Sequence, residues 1–520
     1  MSLHIRHIFS LLRAGRTLAA HDALLLPEQF ARLPWFARLG LRLAKFGTRR
    51  VDQTQSNPVS AALAELGPSY IKLGQFLATR PDLVGPKRAF DLKSLQDRLP
   101  PFPEDEARRI VETNLGTPVE ALFSTFGPPV AAASIAQVHR ARAPDGRELA
   151  VKILRPGVER RFAADLGSYY FAARVMERFS AEGRRLRPVA AVSMLEQSMK
   201  MELDLRMEAS AISEMAENTK SDPGFRVPKV DWHRTSRQVL TTEWIDGTPI
   251  SDVDGLRARG FDLKALGDSV IQSFLRHAIR DGFFHADMHQ GNLFVDGAGN
   301  VVAVDFGIVG RLGPKESRFL AEILYGFITR DYMRVSIVHF EAGYVPADQD
   351  PAIFAQALRS IGEPIMDRDA SEISMARLLT QLFEVTAQFN MSTQPQLLLL
   401  QKTMVVVEGV ARTLNPNLNM WVTAEPVVRG WIERKLGPAG RIEDVASSVG
   451  RLAFGLPAML ADAQKATVML AAMANGDGLK LDATTAREVA RQQGRGRVFE
   501  RLALGVIALA LVAIAAKLIF

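Results

Sequence analysis

Between residues 119 and 154, the hydrophobic residues follow the pattern of β-strands. Two strand-like runs lead to a turn at Asp145-Gly146, and the residues that flank this turn predict a hairpin. A third apolar, β-branched run covers 148–154, and a later one covers 239–242. We therefore expect a small sheet in the first half of the chain.

Helical periodicity is found in most of the remaining chain. Residues 193–215 carry an apolar stripe at helical spacing, marked by Met199, Leu205, Ala209 and Ile212. The same periodicity predicts helices within 316–340, 351–361 and 375–408. Asn415-Pro416 predicts a helix stop, because a proline disfavours helical geometry in the residue before it. Residues 1–118 also look helical, so the expected fold class is α+β.

The chain ends in nineteen residues, 502–520, of which only Lys517 is charged. A helix that spans a bilayer needs about 20 apolar residues, with about 17 as the lower limit, so we predict a transmembrane helix here. Five arginines lie within 487–501. The positive-inside rule then places the preceding domains in the cytoplasm and the C-terminus outside. A hairpin-like or monotopic insertion is the alternative.

The N-terminal segment predicts an amphipathic helix. Apolar residues repeat there at helical spacing, at Ile5, Ile8, Phe9 and Leu12, and the arginines lie mostly on other faces. Such a helix could rest on a bilayer or pack on the body of the protein. We favour packing on the body.

Composition narrows the functional classes. A chain of 520 residues, 47% hydrophobic and 23% charged, is long enough for two or three domains with their own cores. The absence of cysteine excludes disulfides and thiolate metal sites. The net charge is +7, but arginines are dispersed rather than clustered with aromatic residues. This pattern favours an anionic membrane surface as a partner and argues against nucleic acid.

Two short motifs carry the candidate chemistry. Residues 285–292 read H-A-D-M-H-Q-G-N, that is H-x-D-x-x-x-x-N, and Asp305-Phe306-Gly307 follows a strand-like stretch. Phosphoryl transfer needs a carboxylate near the attacking oxygen, and an amide with a second carboxylate to hold Mg²⁺ against the phosphates. The two motifs supply these groups in the order found in protein kinases. A lone D-F-G is weak evidence, whereas the ordered pair is specific.

Lys152 lies in the third predicted strand, within A-V-K-I. A lysine in an apolar strand is costly to bury unless an anion meets it. With the two motifs downstream, we predict that Lys152 faces phosphate. Glu202 and Glu208 fall on or beside the stripe of 193–215, where a solvated carboxylate is not expected. Glu208 is our candidate partner for Lys152.

These residues resemble the UbiB/ADCK family of atypical protein-kinase-like proteins, which is linked to ubiquinone biosynthesis. Three further segments carry the likeness. They are the K-x-G-Q motif at 72–75, the E-x-D motif at 202–204 and an alanine-rich loop at 131–139, where ordinary kinases have glycines. The resemblance covers residues 20 to 430 and implies a bilobal protein-kinase-like fold.

The resemblance also implies roles for the site residues. Lys152 would bind the α- and β-phosphates of ATP and be held by Glu208, and Asp287 would act as the base or orient a water molecule. Mg²⁺ would be held by Asn292 and Asp305. The expected cofactors are therefore ATP and Mg²⁺.

In the family, the K-x-G-Q helix lies over the cleft where a protein substrate would dock. Here we expect it to start near Pro68 and to stop before Pro81. The residues expected to close the cleft are Lys72, Gln75, Glu202 and Asp204.

The alanine-rich loop and a hinge are the expected nucleotide contacts. Glycine lets backbone N–H groups close over phosphates, so alanines should narrow the conformations of this loop. The segment after 239–242 is the expected hinge between the lobes, and its backbone would pair with the adenine edge. Besides Lys152, the residues expected to contact the nucleotide are Ala131, Ala132, Ala133, Ser134, Ile135, Ala136, Gln137, Val138, Glu243 and Ile245.

The sequence departs from signalling kinases at two points. Ala286 stands where kinases activated by phosphorylation carry the arginine of H-R-D, and no A-P-E follows Asp305. Because a covered cleft leaves water as the readiest acceptor, we expect a membrane-stimulated ATPase. It would support ubiquinone biosynthesis by acting on or presenting lipophilic quinone precursors. The alternatives are a true kinase for a protein or a small molecule, and a non-enzymatic scaffold that binds nucleotide.

The expected domain order has five parts. They are a helical extension at 1–118, a small lobe at 119–245, a large lobe at 246–435, a helical region at 436–500 and a transmembrane anchor at 501–520. The expected partners are anionic membrane lipids and quinone precursors or the enzymes of quinone biosynthesis, and a homodimer is compatible with the sequence. The expected location is a bacterial inner membrane, crossed once, with the catalytic domain in the cytoplasm.

Overall fold

The computed structural model describes residues 3–21, 58–78, 99–179, 187–366, 388–391 and 395–437, with a few isolated positions between them. The chain divides into two compact units, Met1–Glu433 and Arg434–Phe520. Apart from its first two residues, the predicted region 436–500 lies outside the described residues, as does the predicted anchor 501–520. None of the helices within the described residues is long and apolar enough to cross a membrane.

Helices precede the first sheet. They are α1 (Leu3–Ala20), α2 (Pro58–Leu66), α3 (Pro68–Ala78), α4 (Glu104–Leu115) and α5 (Val119–Leu122). Helix α3 carries the K-x-G-Q motif, and its observed bounds confirm the predicted start at Pro68 and stop before Pro81. Helix α4 ends at Gly116, whose positive φ of 67° lets its N–H bond back to the Glu112 carbonyl at 2.8 Å.

The first sheet forms within the region that the hydrophobic pattern predicts, but the predicted strand-like start at 119 is wrong, because 119–122 form α5 and the first strand begins at Thr125. The strands are β1 (Thr125–Ala132), β2 (Ala136–Arg142), β3 (Glu148–Leu154), the two-residue β4 (Phe225–Arg226) and β5 (Val239–Glu243). Strands β1, β2, β3 and β5 pair antiparallel in that order, whereas β4 belongs to another sheet. The predicted hairpin turn is confirmed, since Gly146 has a φ of 89° and donates its N–H to the Ala143 carbonyl at 2.9 Å.

One face of this sheet carries the core of the small lobe. Val151 and Ile153 of β3 are buried in one cluster with Ala107 and Val111 of α4. Because successive residues of a strand point to opposite faces, Lys152 lies on the other side. Helix α4, which the sequence analysis assigns to the helical extension, therefore supplies part of the core of the sheet that holds Lys152.

The described residues between β3 and β4 include three helices. They are α6 (Val158–Phe179), α7 (Pro188–Glu202) and α8 (Leu205–Asn218). The interpretation of 193–215 as one continuous helix is wrong, because α7 ends at Glu202 and α8 begins at Leu205. Asp204 caps α8 by accepting the Arg206 N–H at 3.1 Å. The E-x-D motif therefore lies at a junction of two helices.

Two small sheets bring the sequence motifs together. The strands are β6 (Gly247–Pro249), β7 (Phe283–His285), β8 (Leu293–Asp296), β9 (Val301–Ala303) and β10 (Val309–Arg311). One sheet has the order β4-β9-β8-β6, and the other pairs β7 with β10. The H-x-D-x-x-x-x-N motif starts at the end of β7 and leads to β8, and the D-F-G motif lies between β9 and β10. Strand pairing thus holds the two motifs side by side.

Helices form the remainder of the large lobe. They are α9 (Val253–Ala258), α10 (Leu263–Arg276), α11 (Pro314–Ile328), α12 (Tyr332–Glu341), α13 (Pro351–Met366), α14 (Pro395–Leu414) and α15 (Met420–Leu436). The periodic stretch 316–340 is two helices, separated where Arg330 adopts a φ of 60°. Helix α14 ends one residue before Asn415-Pro416, which confirms the predicted stop.

Candidate functional site

Lys152 lies near the end of β3, where its ammonium group meets two carboxylates. Its Nζ donates to Glu208 Oε1 at 2.8 Å and Oε2 at 2.9 Å, and to Asp305 Oδ1 at 3.0 Å. Glu208 is buried, whereas the Asp305 side chain is 49% exposed. The structure thus joins Lys152 to the predicted Glu208 and to the aspartate of D-F-G. We call these three residues the charged cluster.

Burial and mutual charge shift the pKa of each member of the charged cluster. Burial raises the pKa of Glu208 to about 7, against the opposing effect of the Lys152 charge. Burial also opposes charging of Lys152, but Asp305 and Glu208 outweigh it and raise the pKa of the lysine. Desolvation in the cleft opposes ionisation of Asp305, yet Lys152 lowers the pKa of this aspartate below its usual range. At neutral pH, Lys152 and Asp305 are therefore charged, and Glu208 holds its proton more strongly than an ordinary glutamate.

The backbone at Asp305 is unusual. Its φ is 61°, a left-handed conformation that residues with a side chain adopt rarely and often at functional sites. The next residue, Phe306, is buried and packs on His285 with ring centroids 4.6 Å apart. Phe306 therefore anchors the segment while Asp305 reaches the cleft.

His285 ties the two motifs together through neutral hydrogen bonds. Its Nδ1 accepts the Asp287 N–H at 3.0 Å, so its Nε2 carries the proton and donates to the Val304 carbonyl at 3.1 Å. Burial lowers the pKa of His285, which keeps the ring in this neutral form. His285 is thus a structural residue that positions the loop of Asp287.

Asn292 connects the loop of Asp287 to the residue before Asp305. It is buried, and its Nδ2 donates to the Asp287 carbonyl at 3.1 Å. The backbone carbonyl of Asn292 accepts the N–H of Val304, the residue before Asp305, at 2.9 Å. The amide nitrogen of Asn292 is thereby used within the protein, which leaves its amide oxygen for a ligand.

The donor types fit magnesium. An amide oxygen from Asn292 and a carboxylate from Asp305 are held on adjacent segments, and Mg²⁺ prefers oxygen ligands. Within the described residues, no group of three or more His, Cys, Asp or Glu side chains could hold a metal ion. Phosphate and water oxygens would therefore complete the coordination, as is common for Mg²⁺ in nucleotide sites.

The side chain of Asp287 is 32% exposed. Its backbone is fixed on both sides, by His285 through its N–H and by Asn292 through its carbonyl. His289 Nε2 lies 3.7 Å from Asp287 Oδ2. A carboxylate that is open to solvent on a fixed backbone suits a base or a group that orients water.

Thr403 supports this loop in a way that the sequence analysis missed. This buried residue of α14 donates its hydroxyl to the Ala286 carbonyl at 3.0 Å and lies 2.8 Å from the Leu399 carbonyl. Further along α14, Thr413 accepts a hydrogen bond from Gln290 at 2.9 Å. Helix α14 therefore braces the loop at two points. No sequence signal marks Thr403, because Ala286 lies 117 residues away in the sequence.

Helix α3 reaches the cleft through Lys72. Its Nζ lies 2.7 Å from Glu202 Oε2, and both side chains are only 10% exposed. The charge of Lys72 also helps to lower the pKa of Asp305, after the larger effect of Lys152. Gln75 is half-buried on the same helix. Asp204 does not join Lys72, because its carboxylate pairs with Arg206 at 2.6 Å and caps α8.

The alanine-rich segment is mostly strand, so the predicted loop over 131–139 is wrong. Ala131 and Ala132 pair with Val138 and Gln137 in the β1–β2 ladder, and Ala136 begins β2. Only residues 133–135, Ala133, Ser134 and Ile135, form the turn. The ladder extends further than expected because alanine is small and fits either a strand or a turn.

Gln137 and Val138 point in opposite directions. Gln137 is buried, and its amide exchanges hydrogen bonds with the backbone N–H and carbonyl of Phe102, at 2.9 and 3.3 Å. It fastens the segment before α4 to the sheet, away from Lys152. Val138 stands directly across the ladder from Lys152 and shares its face.

The hinge connects β5 to β6. Glu243 donates its N–H to the Lys229 carbonyl at 2.8 Å, and its carboxylate pairs with Arg226 at 3.1 Å. The N–H of Trp244 is used by the Glu148 carbonyl at 3.0 Å. The N–H of Ile245 makes no hydrogen bond with any residue that the structure describes. Of the two predicted hinge contacts, Ile245 is therefore the one with an open donor.

Two family profiles match the chain. The ABC1 atypical kinase-like domain matches residues 94–339, and the UbiB helical domain matches residues 358–419. The first range contains the charged cluster and the loop of Asp287. The second contains Thr403, so the contact between Thr403 and Ala286 joins the two matched regions.

Curated relatives cover most of the chain. A "Probable protein kinase UbiB" from Marinobacter nauticus is 43% identical over 389 residues, 74% of this chain and 71% of the relative. Proteins of the same name from Pseudomonas paraeruginosa and Azotobacter vinelandii are each 40% identical, over 82% and 81% of this chain and 82% and 80% of the relatives.

A solved structure is also similar. Its title is "The complex structure of Rv3197-erythromycin from Mycobacterium tuberculosis", and the match has 25% sequence identity and a TM-score of 0.48. It covers 76% of this chain and 98% of that chain. The two profiles and the curated relatives confirm the resemblance drawn from the motifs and support the protein-kinase-like fold. The chain belongs to the UbiB family of ABC1 atypical kinase-like proteins.

Proposed function

We propose that this chain binds ATP with Mg²⁺ between Lys152 and the loop of Asp287, and hydrolyses it. The observation that carries the proposal is the charged cluster, in which one ammonium group lies within 3.0 Å of two carboxylates, one of them on the half-exposed side chain of Asp305. Charge-assisted contacts of this kind can be redistributed when a triphosphate and a cation enter. Lys152 would then bind phosphate while Glu208 keeps it in place.

The remaining residues have complementary roles. Asp287 orients the attacking oxygen and accepts its proton. Asn292 and Asp305 supply oxygen ligands for Mg²⁺, which, when bound, neutralises charge on the phosphates. The turn at 133–135 closes over the phosphates, and the N–H of Ile245 meets the adenine edge.

Water is the acceptor we favour. Helix α3 is fastened beside the charged cluster by the Lys72–Glu202 pair, where a peptide substrate would have to enter. The name of the relatives, "Probable protein kinase UbiB", supports the second candidate, a true kinase for a protein or a small molecule. A scaffold that binds nucleotide without turning it over is the third.

Family membership supports a role in ubiquinone biosynthesis. We infer that the chain acts on or presents lipophilic quinone precursors, to the enzymes that modify them, at a bacterial inner membrane. The apolar segment 502–520 and the net charge of +7 support a single membrane pass, a cytoplasmic catalytic domain and contact with anionic lipids. A homodimer is compatible with this arrangement.

Incubation of the full-length protein with γ-labelled ATP, Mg²⁺ and phosphatidylglycerol vesicles tests the proposal. We expect free labelled phosphate to exceed any labelled protein or lipid, and its release to rise with the vesicles and with a phenol that mimics a quinone head group. Asp287→Asn should lower the release by about 10²–10⁴-fold. Labelled protein or lipid in excess of phosphate would establish the kinase instead. Normal quinone levels in a deletion strain carrying Asp287→Asn or Asp305→Asn would establish the scaffold.

A further inference from the structure

The outer face of α1 is apolar and basic, and the proposed ATP chemistry does not use it. Ile8, Phe9 and Leu12 are 44%, 62% and 63% exposed. Arg6 and Arg13 are exposed on the same helix. No acidic residue precedes Asp22 in the sequence. Large apolar side chains grouped on a surface in this way mark an interaction site.

The inner face of α1 is fixed to the protein. His7 lies 3.2 Å from the Ser168 hydroxyl of α6 and stacks on Phe171. Ala14 is buried, and His21, just after the helix, lies 2.8 Å from Glu65 of α2. These contacts fix the orientation of α1, so that the face with Ile8, Phe9 and Leu12 points to solvent. The two alternatives for this helix in the sequence analysis, packing and bilayer contact, therefore use different faces.

We propose that the outer face of α1 docks on an anionic lipid surface. Phe9 and Leu12 would enter the boundary between head groups and acyl chains, and the neighbouring arginines would meet the phosphates. Charge complementarity selects this occupant, because a helix with arginines and no acidic residue is attracted to a uniformly negative surface. An apolar groove on a protein would accept Phe9 and Leu12 but would give no reason for the one-sided charge.

Helix α6 connects this surface to the K-x-G-Q helix. Ser69 of α3 donates to Asp165 of α6, and Tyr70 packs edge-to-face on Tyr169 with centroids 5.4 Å apart. Arg161 of α6 donates to the Leu66 carbonyl at 2.8 Å. Docking of α1 can therefore change, through α6, the position of α3, the helix whose Lys72 lies beside the charged cluster. This link rests on the proposed ATP hydrolysis, whereas the docking itself does not.

The absence of cysteine makes a site-specific test simple. In the full-length chain, Leu12→Cys carries an environment-sensitive fluorophore, and Ile353→Cys, at a site that is 55% exposed on α13, is the matched control. Each is reconstituted in vesicles of phosphatidylcholine and phosphatidylglycerol, or of phosphatidylcholine alone, with brominated acyl chains as quenchers.

We expect strong quenching at position 12 with phosphatidylglycerol, and little at position 353. One arginine near an anionic surface contributes about 1 kcal/mol, so adding Arg13→Gln should lower the ratio of docked to undocked α1 about fivefold. The quenching should also fall as salt screens the attraction. Equal quenching at both positions, or none at position 12, would overturn the docking. Equal quenching at position 12 in vesicles without phosphatidylglycerol would overturn its assignment to an anionic surface.

The link to the cleft has a separate readout. Phe9→Ser with Leu12→Ser alters only exposed side chains, so the melting temperature and the basal phosphate release should stay unchanged. The stimulation by phosphatidylglycerol should be lost, and full stimulation would overturn the link. Because the fluorophore reports docking without ATP, a wild-type protein that releases no phosphate would contradict the proposed function and leave the docking result standing.

Discussion

The two sides of the candidate ATP cleft are built from different interactions. On one side, the charged cluster of Lys152, Glu208 and Asp305 is held by opposite charges. On the other, the loop of Asp287 is held by neutral hydrogen bonds from His285 and Thr403. Charged contacts can be exchanged for the charges of a ligand, whereas neutral bonds to the backbone fix a position whatever is bound. The comparison indicates that the first side responds to nucleotide and pH, and that the second keeps the geometry constant.

The largest expected effect comes from a substitution in the loop of Asp287, the side of the cleft that is held by neutral hydrogen bonds. Asp287→Asn removes the proposed base but leaves its backbone bonds to His285 and Asn292 in place. Loss of a general base lowers a rate by about 10²–10⁴-fold, so phosphate release should fall by that factor while ATP affinity and melting temperature stay constant. Asp254→Asn, at an exposed site on α9, is the matched control. A drop of less than about tenfold would show that Asp287 is not the base.

Lys152→Met should affect stability and binding together, because it leaves the buried Glu208 without its cation. Removing one partner of a buried ion pair costs about 3–5 kcal/mol, and we expect the lower end since Glu208 can take up a proton. Calorimetry should show loss of ATP binding in the same variant. Lys264→Met, which removes an exposed pair with Asp268, should change neither property.

A second substitution separates the two effects of Lys152. Adding Glu208→Leu to Lys152→Met removes the orphaned carboxylate, so most of the lost stability should return while ATP binding stays lost. Recovery of both would mean that the charged cluster is structural and that the lysine does not bind phosphate.

Thr403→Val should have a smaller effect on turnover, because it alters the position of the Asp287 loop and removes no charge. It keeps the shape of the side chain but leaves the buried Ala286 carbonyl without its donor, which costs about 1–3 kcal/mol. Since Ala286 precedes Asp287, we expect a lower turnover rate with an unchanged KM for ATP. Thr403→Ser should restore the rate, and Thr413→Val, which removes an exposed bond to Gln290, should change it less. A changed KM with a normal rate would contradict a positioning role for Thr403.

The same contrast explains what could be predicted from the sequence. The candidate roles of Lys152, Asp287, Asn292 and Asp305 can be predicted because phosphoryl transfer requires these residue types in a fixed order. Strand alternation and proline positions likewise gave the sheet strands and the bounds of α3. Residues that only hold other groups in place are not restricted to one residue type in this way, so a motif does not reveal them.

Asp204 illustrates the limit. It reads equally well as a cleft carboxylate or as a helix cap, and only the break between α7 and α8 decides for the cap. Gln137 and Thr403 reach their partners through contacts 35 and 117 residues away in sequence, which no local pattern encodes. The alanines of 131–133 fit strand or turn, so their pattern alone could not place the end of β1.

The smallest expected effect is a pH dependence that belongs to the charged side alone. The folded-state pKa of Glu208 is raised to about 7, above the value near 4.5 of an unperturbed glutamate. The folded protein therefore binds the additional proton between these values, and the contribution of Glu208 to stability is fully present below the lower value and lost as pH rises through 7.

Other groups act in different directions, so the measurement must isolate Glu208. Asp305, whose pKa is lowered, loses its contribution only as pH falls below about 4, and His285, whose pKa is also lowered, works in the opposite direction to Glu208. We therefore compare the free energy of unfolding of wild type and Glu208→Gln from pH 5 to pH 7. The difference should change in favour of the variant by at most about 1.4 kcal/mol per pH unit, the limit for one proton. If the difference in free energy of unfolding stayed constant, Glu208 would keep one protonation state across this range. The charged cluster would then be as insensitive to pH as the hydrogen bonds that hold the loop of Asp287.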